Sequence, residues 1–360
     1  MHKYPINVTI DTNIFFGAKF DFGIDGIFHI LQEYVNDGTI NLILSDIVIK
    51  EVKHHLKEKA IEVTRNVKKN SKNIKKMFSN EMLCAAGFES FINIPCEENV
   101  VQECNLRFEQ YINDLKPETL NSGNINANKI IEDYFDMKPP FEEKKKEEFP
   151  DAFIIEQVKK RFDKEDIYII SADKGFNRAF EGENYHLLES LSDLFDMINK
   201  DKEGYKETIS SLESNIKSII IAIEERVRDC DCIYVCGMSY DSECCIEGYD
   251  YDETYLENIS DIECRLHSVD QILEETSIVT LNCSADITMV CCYNDYENSP
   301  WDSEERKYIY LDRVKLLENH AARFGCTIEL NRCSGRVNIL ELQVTLGANT
   351  LKDREEISTI

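Results

Sequence analysis

The feature that most limits what this chain can become is an alternation of short apolar runs with amphipathic segments through its first 200 residues. Residues 5–11 read as a strand in which Ile6, Val8 and Ile10 alternate with Asn7 and Thr9, and residues 24–37 read as a helix ending at Gly38. Ile40 to Leu44 is a second strand, and Ser45 is placed to cap the long helix that begins DIVIKEVKHHLKEK. Less regular helical segments fill 80–136, and the loop MKPPFEEKKKEEFP follows. Asp151 to Phe162 then reads as an amphipathic helix, Ile167 to Ser171 as a strand, Tyr185 to Leu187 as a short strand and Leu191 to Asn199 as a helix. Strands separated by helices require crossover connections, which predict a mainly parallel sheet flanked by helices.

The pattern changes near the polar stretch DKEGYKE at 200–208, so the chain divides on sequence grounds into a domain at 1–200 and a second at 209–360. Ile209 to Val227 is one amphipathic helix. After it, period-two runs at 278–282, 286–292, 326–330 and 337–344, with turns at 293–303 and 332–336, predict an α+β domain with an antiparallel sheet.

Composition narrows the function classes. The net charge is −27, of which residues 1–200 carry −9 and residues 201–360 carry −18. So acidic a chain is no generic nucleic-acid coat, because phosphate contacts come from Lys and Arg. The acidic second domain suits a protein partner, another subunit or a shielding role better than direct contact with nucleic acid. No apolar run approaches a membrane span, and MHKYPINVTIDTN lacks the pattern of a secretory signal, so a soluble cytoplasmic protein without membrane association is expected. The 14 cysteines then read as thiols; Cys230, Cys232, Cys236, Cys244 and Cys245 cluster in sequence but lack the paired spacing of a zinc site.

The first strand ends on Asp11-Thr12-Asn13, three residues that are all common helix caps. Capping alone leaves unexplained why three further acids fall at the same level of the sheet. Glu51 lies about one and a half turns into the helix after the second strand, Asp151 sits at or near an N-cap after Pro150, and Asp173 follows the IYIIS strand by one residue. Ligand sites in open parallel sheets lie at the carboxyl ends of the strands. Four carboxylates gathered there would repel one another, and divalent cations with a preference for oxygen, Mg²⁺ or Mn²⁺, would relieve the repulsion.

In this order and context, DTN, SDIVIKEV, EFPDAFIIEQV and SADKGF resemble the motifs of a PIN domain, specifically of bacterial PIN-like nucleases with an EFPDA-type third motif, over roughly residues 5–198. The resemblance implies a metal-dependent endonuclease acting mainly on RNA, of the kind used in toxin, RNA-processing or phage-defence settings, and often a homodimer. It assigns Asp11, Glu51, Asp151 and Asp173 to the catalytic, metal-holding quartet, Asn13 to the polar companion of the first acid, and Ser171 to the small hydroxyl residue before the last. Some PIN domains carry a further acid near the fourth position; only Asn177 stands there, which leaves one metal or two open.

The helix from Lys50 to Lys76 holds ten Lys or Arg against Glu51, Glu58 and Glu62, and is either a solvated face or a phosphate clamp in which Lys50, Lys53 and Lys57 position the strand. Asp46 is read as a helix-start residue rather than the second acid, Glu156 as a solvated position, and His54-His55 as exposed helix histidines. Trp301, the only tryptophan, is expected to pack in a turn. Two other readings share the fold: a nuclease for single-stranded or structured DNA, and a non-catalytic PIN binding module. A haloacid-dehalogenase phosphatase is excluded because Asn13 stands where that chemistry needs a second Asp.

Overall fold

The computed structural model describes residues 4–24, 26–141, 148–229, 232–235, 253–296 and 299–359. Two compact units divide between Leu194 and Phe195. The cysteines at 230, 236, 244 and 245, the YDYDETY segment before Glu253, and most of the acidic-basic run before Glu148 lie outside the described residues.

The first unit is built on a five-stranded parallel sheet, β1 (Ile6–Ile10), β2 (Ile40–Ser45), β3 (Glu118–Leu120), β4 (Ile167–Ile170) and β5 (Tyr185–Leu188), in the spatial order β3-β2-β1-β4-β5. The central strands are buried on both faces: Val8, Ile10, Ile43, Leu44 and Ile169 are almost fully enclosed. This is why these runs are nearly continuously apolar. The helices are α1 (Thr12–Gly17), α2 (Ile27–Asn36), α3 (Asp46–Met77), α4 (Asn80–Ala85), α5 (Glu97–Leu115), α6 (Ala127–Phe135), α7 (Phe149–Arg161), α8 (Lys174–Arg178) and α9 (Leu191–Asn199). Ser45 caps α3 as expected, accepting from Ile47 N at 3.0 Å. A stripe of Val48, Val52, Leu56 and Ala60 at four-residue spacing buries the first half of α3.

Three details depart from the sequence reading. β3, an edge strand between α5 and a 3-10 turn at Ser122–Asn124, is only three residues long and carries too little pattern to be read. Helix α7 starts two residues earlier than expected, so Asp151 lies inside its first turn and Glu148 occupies the N-cap. Glu156 is not a solvated position: it is largely buried and pairs with Lys129.

The second unit, which takes in the end of α9, contains α10 (Tyr205–Arg228), whose Leu212, Ile219, Ile223 and Val227 join the core of a large antiparallel sheet. Its strands are β6 (Ile233–Val235), β7 (Glu253–Ile272), β8 (Thr276–Asp295), β9 (Trp301–Asp302), β10 (Lys307–Tyr308), β11 (Asp312–Asn331), β12 (Val337–Leu342), β13 (Val344–Leu346) and β14 (Leu351–Thr359). The sheet order is β12-β11-β8-β7, with β14 also paired to β11, while β13 pairs with β6 in parallel. The two runs read at 278–282 and 286–292 are one 20-residue strand, because Cys283, Ser284 and Ala285 carry the same alternation through the apparent gap. Trp301 is half exposed and meets Tyr308 edge-on at 4.8 Å. The ten described cysteines are free thiols, and Cys283 donates to Cys264 across the β7–β8 pair at 3.3 Å. Within this unit Glu318 is fully buried and accepts from Arg354, with the His320 ring at 3.2 Å.

Asp46 is the polar hub of the first unit. It accepts from Ser122 N (3.0 Å), Ser122 Oγ (2.8 Å), Gln157 Nε2 (2.8 Å) and Lys50 Nζ (2.8 Å), tying α3, α7 and the 3-10 turn together. Burial alone would raise its pKa, but the bonds from Lys50, Gln157 and Ser122 outweigh that and hold it at about 2. Its stabilising effect is therefore complete above the ordinary carboxylate range and lost only as the pH falls through about 2. Asp46→Ala strands the Ser122 and Gln157 donors and is expected to destabilise the unit by about 2 kcal/mol. Urea unfolding followed by tryptophan-independent circular dichroism checks this, and a loss below about 0.5 kcal/mol would show the hub to be dispensable.

Candidate functional site

The carboxyl ends of β1 and β4 deliver Asp11 and Ser171 side by side: Asp11 N donates to Ile170 O at 2.9 Å, continuing the ladder one residue past the strands. Asp11 has extended backbone angles and caps α1, its Oδ1 accepting from Thr12 N at 2.6 Å. The other oxygen, Oδ2, accepts from Ser171 Oγ (2.6 Å) and Asn13 Nδ2 (2.6 Å). Asn13 Nδ2 also reaches Ser171 Oγ at 3.1 Å. Each residue of Asp-Thr-Asn thus has a separate task, because Thr12 Oγ1 donates to Glu51 Oε2 at 2.7 Å and so brings α3 to the same edge. Capping and clustering coexist in Asp11, where the sequence had set them against each other.

Asp173 enters from the other side. Its backbone N donates to Ser171 Oγ at 3.1 Å, and its Oδ1 caps α8 through Gly175 N (2.5 Å) and Phe176 N (3.1 Å). Asn177 donates through Nδ2 to Ser171 O at 2.8 Å, while its Oδ1 is buried without a hydrogen-bond partner. Asp151 comes from α7 and is bonded to Glu148, an acid the sequence reading passed over. The signal for it was present: Glu148 stands three residues before Asp151, one turn of helix, once the N-cap is moved to it.

The electrostatics show how near these groups are. Asp11, only 8 % exposed, has its pKa pushed up to about 6 by burial; hydrogen bonds from Ser171 and Thr12 oppose the rise, and the charges of Glu51 and Asp173 add to it. Asp151 is pushed up to about 8 by burial, then by the bond to Glu148 and the charges of Asp11, Glu148 and Glu51. The leading electrostatic neighbours of both are other carboxylates, so protons are held where cations would otherwise neutralise the charge. As the side chains stand, no three His, Cys, Asp or Glu among the described residues are close enough to share one ion. Asp11 and Asp173 each have one oxygen turned to its own helix cap. The donor set nevertheless fits a hard divalent cation, being all oxygen and rich in carboxylate.

The basic positions fare differently. Lys50 is paired with Asp46 and Lys53 with Glu109, whereas Lys57, Lys68, Lys69 and Lys72 have no ionic partner among the described residues. His54 and His55 both lean on Glu58.

A parallel sheet in this order, with acids converging at the carboxyl edge, is the architecture of a known class, and residues 8–176 match the family model described as PIN domain. The first unit is a PIN domain, and PIN domains are generally nucleases, hydrolases of phosphodiester bonds that typically use divalent metals. No curated protein and no solved structure matches the chain. No helix among the described residues is long and apolar enough to cross a membrane.

Raised carboxylate pKa values mean that the folded unit holds more protons than the unfolded chain between the ordinary carboxylate range and about pH 8. The two groups therefore favour folding most at low pH, and that advantage is lost as the pH rises through about 6 and then about 8. A cation binds only the deprotonated set. Melting temperature is accordingly expected to rise on adding Mg²⁺ or Mn²⁺ more at pH 8 than at pH 5.5, with most of the increment absent in Asp11→Asn. Thermal scans at both pH values would refute this if the metal increment were equal in the two proteins.

Proposed function

We propose that the PIN domain of this chain is an Mg²⁺- or Mn²⁺-dependent endoribonuclease. The observation that carries the reading is the convergence of acids from four segments on one sheet edge: Asp11 and Asp151 are buried, and each is raised first by that burial and then by neighbouring carboxylates, Glu51 among them. Asp11, Asp151 and Asp173 would hold the metal, with Glu51 directly or through water. A cation bound there would activate water and stabilise charge on the phosphodiester oxygens.

The chain's own residues supply the framework for that chemistry. Ser171 and Asn13 fix one oxygen of Asp11, and the Thr12 amide fixes the other. Thr12 Oγ1 keeps Glu51 at the sheet edge. Glu148, hydrogen-bonded to Asp151, helps keep that carboxyl at the edge. Lys57, Lys68 and Lys72, unpaired on a helix that begins at the acid cluster, are free to meet phosphates. Preference for RNA over DNA rests on the family resemblance.

Cleavage of matched single-stranded RNA and DNA by wild type and Asp11→Asn, with Mg²⁺, Mn²⁺ or EDTA, tests the proposal. Metal-dependent RNA cleavage that falls at least about 100-fold in the variant is expected. Faster cutting of DNA would replace the substrate, and cleavage insensitive to both EDTA and Asp11→Asn would remove the site. Replacing Lys57, Lys68 and Lys72 by Glu together is expected to raise KM at least tenfold and to lower the slope of log K against log salt by about two.

A further inference from the structure

Four large apolar side chains are exposed around the start of α7 and the end of α6: Phe135 is 76 % exposed and Phe149 is 37 % exposed, with Ile131 and Met137 between these values. They are not scattered. Phe149 stacks on Tyr134 with ring centres 5.1 Å apart and planes 30° apart, and Tyr134 meets Phe135 at 5.3 Å. Behind both stands Phe141, fully buried, edge-on to Tyr134 at 5.3 Å and to Phe149 at 5.0 Å. Ile130 and Ala152 complete the small core that carries the rings. The outward rings are therefore held by inward ones and lose little freedom when something lies on them.

One ring of the patch, Phe149, shares its helix turn with the acid pair. Phe149 is the first residue of α7, flanked by Glu148 at the N-cap and by Asp151 two positions on, the pair that share a hydrogen bond. Four side chains fall well short of the roughly 800 Å² per partner that a stable protein interface covers. They do match what a few bases require, since every base presents a π-face to an aromatic ring. Bases within a duplex are hidden by their neighbours, so only unpaired ones can reach such rings.

We propose that Phe135 and Phe149, backed by Tyr134 and Phe141, form a base-stacking platform that selects single-stranded nucleic acid for the site beside it. The proposal rests on the nuclease reading for what happens next to the platform, but its own evidence is binding.

The test uses the full chain in EDTA, so that binding is read without cleavage, and fluorescence anisotropy of a labelled 12-nucleotide single strand, the same strand with consecutive abasic nucleotides, and its duplex. Phe135→Ala, at the most exposed ring, is expected to weaken single-strand binding about 5- to 100-fold, the range for losing one stacked base, and to leave duplex binding unchanged. Phe135→Trp should restore it. Abasic nucleotides at the contacted positions should weaken wild type equally and make Phe135→Ala no worse. Unchanged melting temperature in the variants excludes misfolding. Single-strand affinity equal in wild type and Phe135→Ala overturns the platform, as does an equal loss on strand and duplex. A Phe135→Ala protein that binds normally but changes its oligomeric state assigns the patch to a protein contact instead. Cleavage in Mg²⁺ or Mn²⁺ is read on the same samples. The expected binding pattern without cleavage would keep the platform and reject the nuclease, whereas cleavage with unaltered affinity would reject the platform alone.

Discussion

The first unit depends on holding a buried carboxylate at the meeting of its two central strands. Asp11 sits where burial drives it toward the protonated form, and the fold answers with three donors on its two oxygens: an amide from Thr12, a hydroxyl from Ser171 and a side-chain amide from Asn13. These donors come from the residues that follow β1 and from the strand beside it. The local geometry of the Asp-Thr-Asn turn and the parallel pairing of β1 with β4 are thus one requirement seen twice. Asp151 has no such opposing donors: burial first, and then the bond to Glu148 and the neighbouring carboxylates, all raise it.

Much of this edge was legible in the sequence. Strand ends are marked by the switch from apolar alternation to Asp-Thr-Asn and Ser-Ala-Asp, and the order of four acids along helices and strands places them at one level. What escaped reading was anything that depends on a helix boundary. Moving the start of α7 by two residues changes Asp151 from a cap to a first-turn position and reveals Glu148 as its neighbour. Partnership was also invisible: Lys50 and Lys53 look as available as Lys57 until Asp46 and Glu109 are seen to hold them. The aromatic patch escaped for a related reason, since Tyr134, Phe135, Phe141 and Phe149 are separated by a loop that hides their convergence.

In the second unit the class of structure was legible and its scale was not. Alternation identified antiparallel strands, but β7, β8 and β11 each run for 20 residues, about four times the usual length. A gap was read at 283–285 and the strand ending at 330 was started only at 326, although residues such as Ser284 and Gly325 sit on the alternate, less buried positions of continuous strands. The buried Glu318, with Arg354 and His320 against it, could not be anticipated either, because nothing local distinguishes it from the solvated acids around it.

The pairing of β1 with β4 has a consequence for how the domain comes into being. Val8 lies opposite Tyr168, and the Ser171–Asp11 hydrogen bond joins residues 160 positions apart. Contacts of such long range form late in folding, after the intervening chain has been ordered. During synthesis Asp11 therefore emerges long before its partners, and no truncated or half-folded chain assembles the acidic edge. The acidic edge is thus a property of the completed domain, withheld by topology until the last of its central strands is in place.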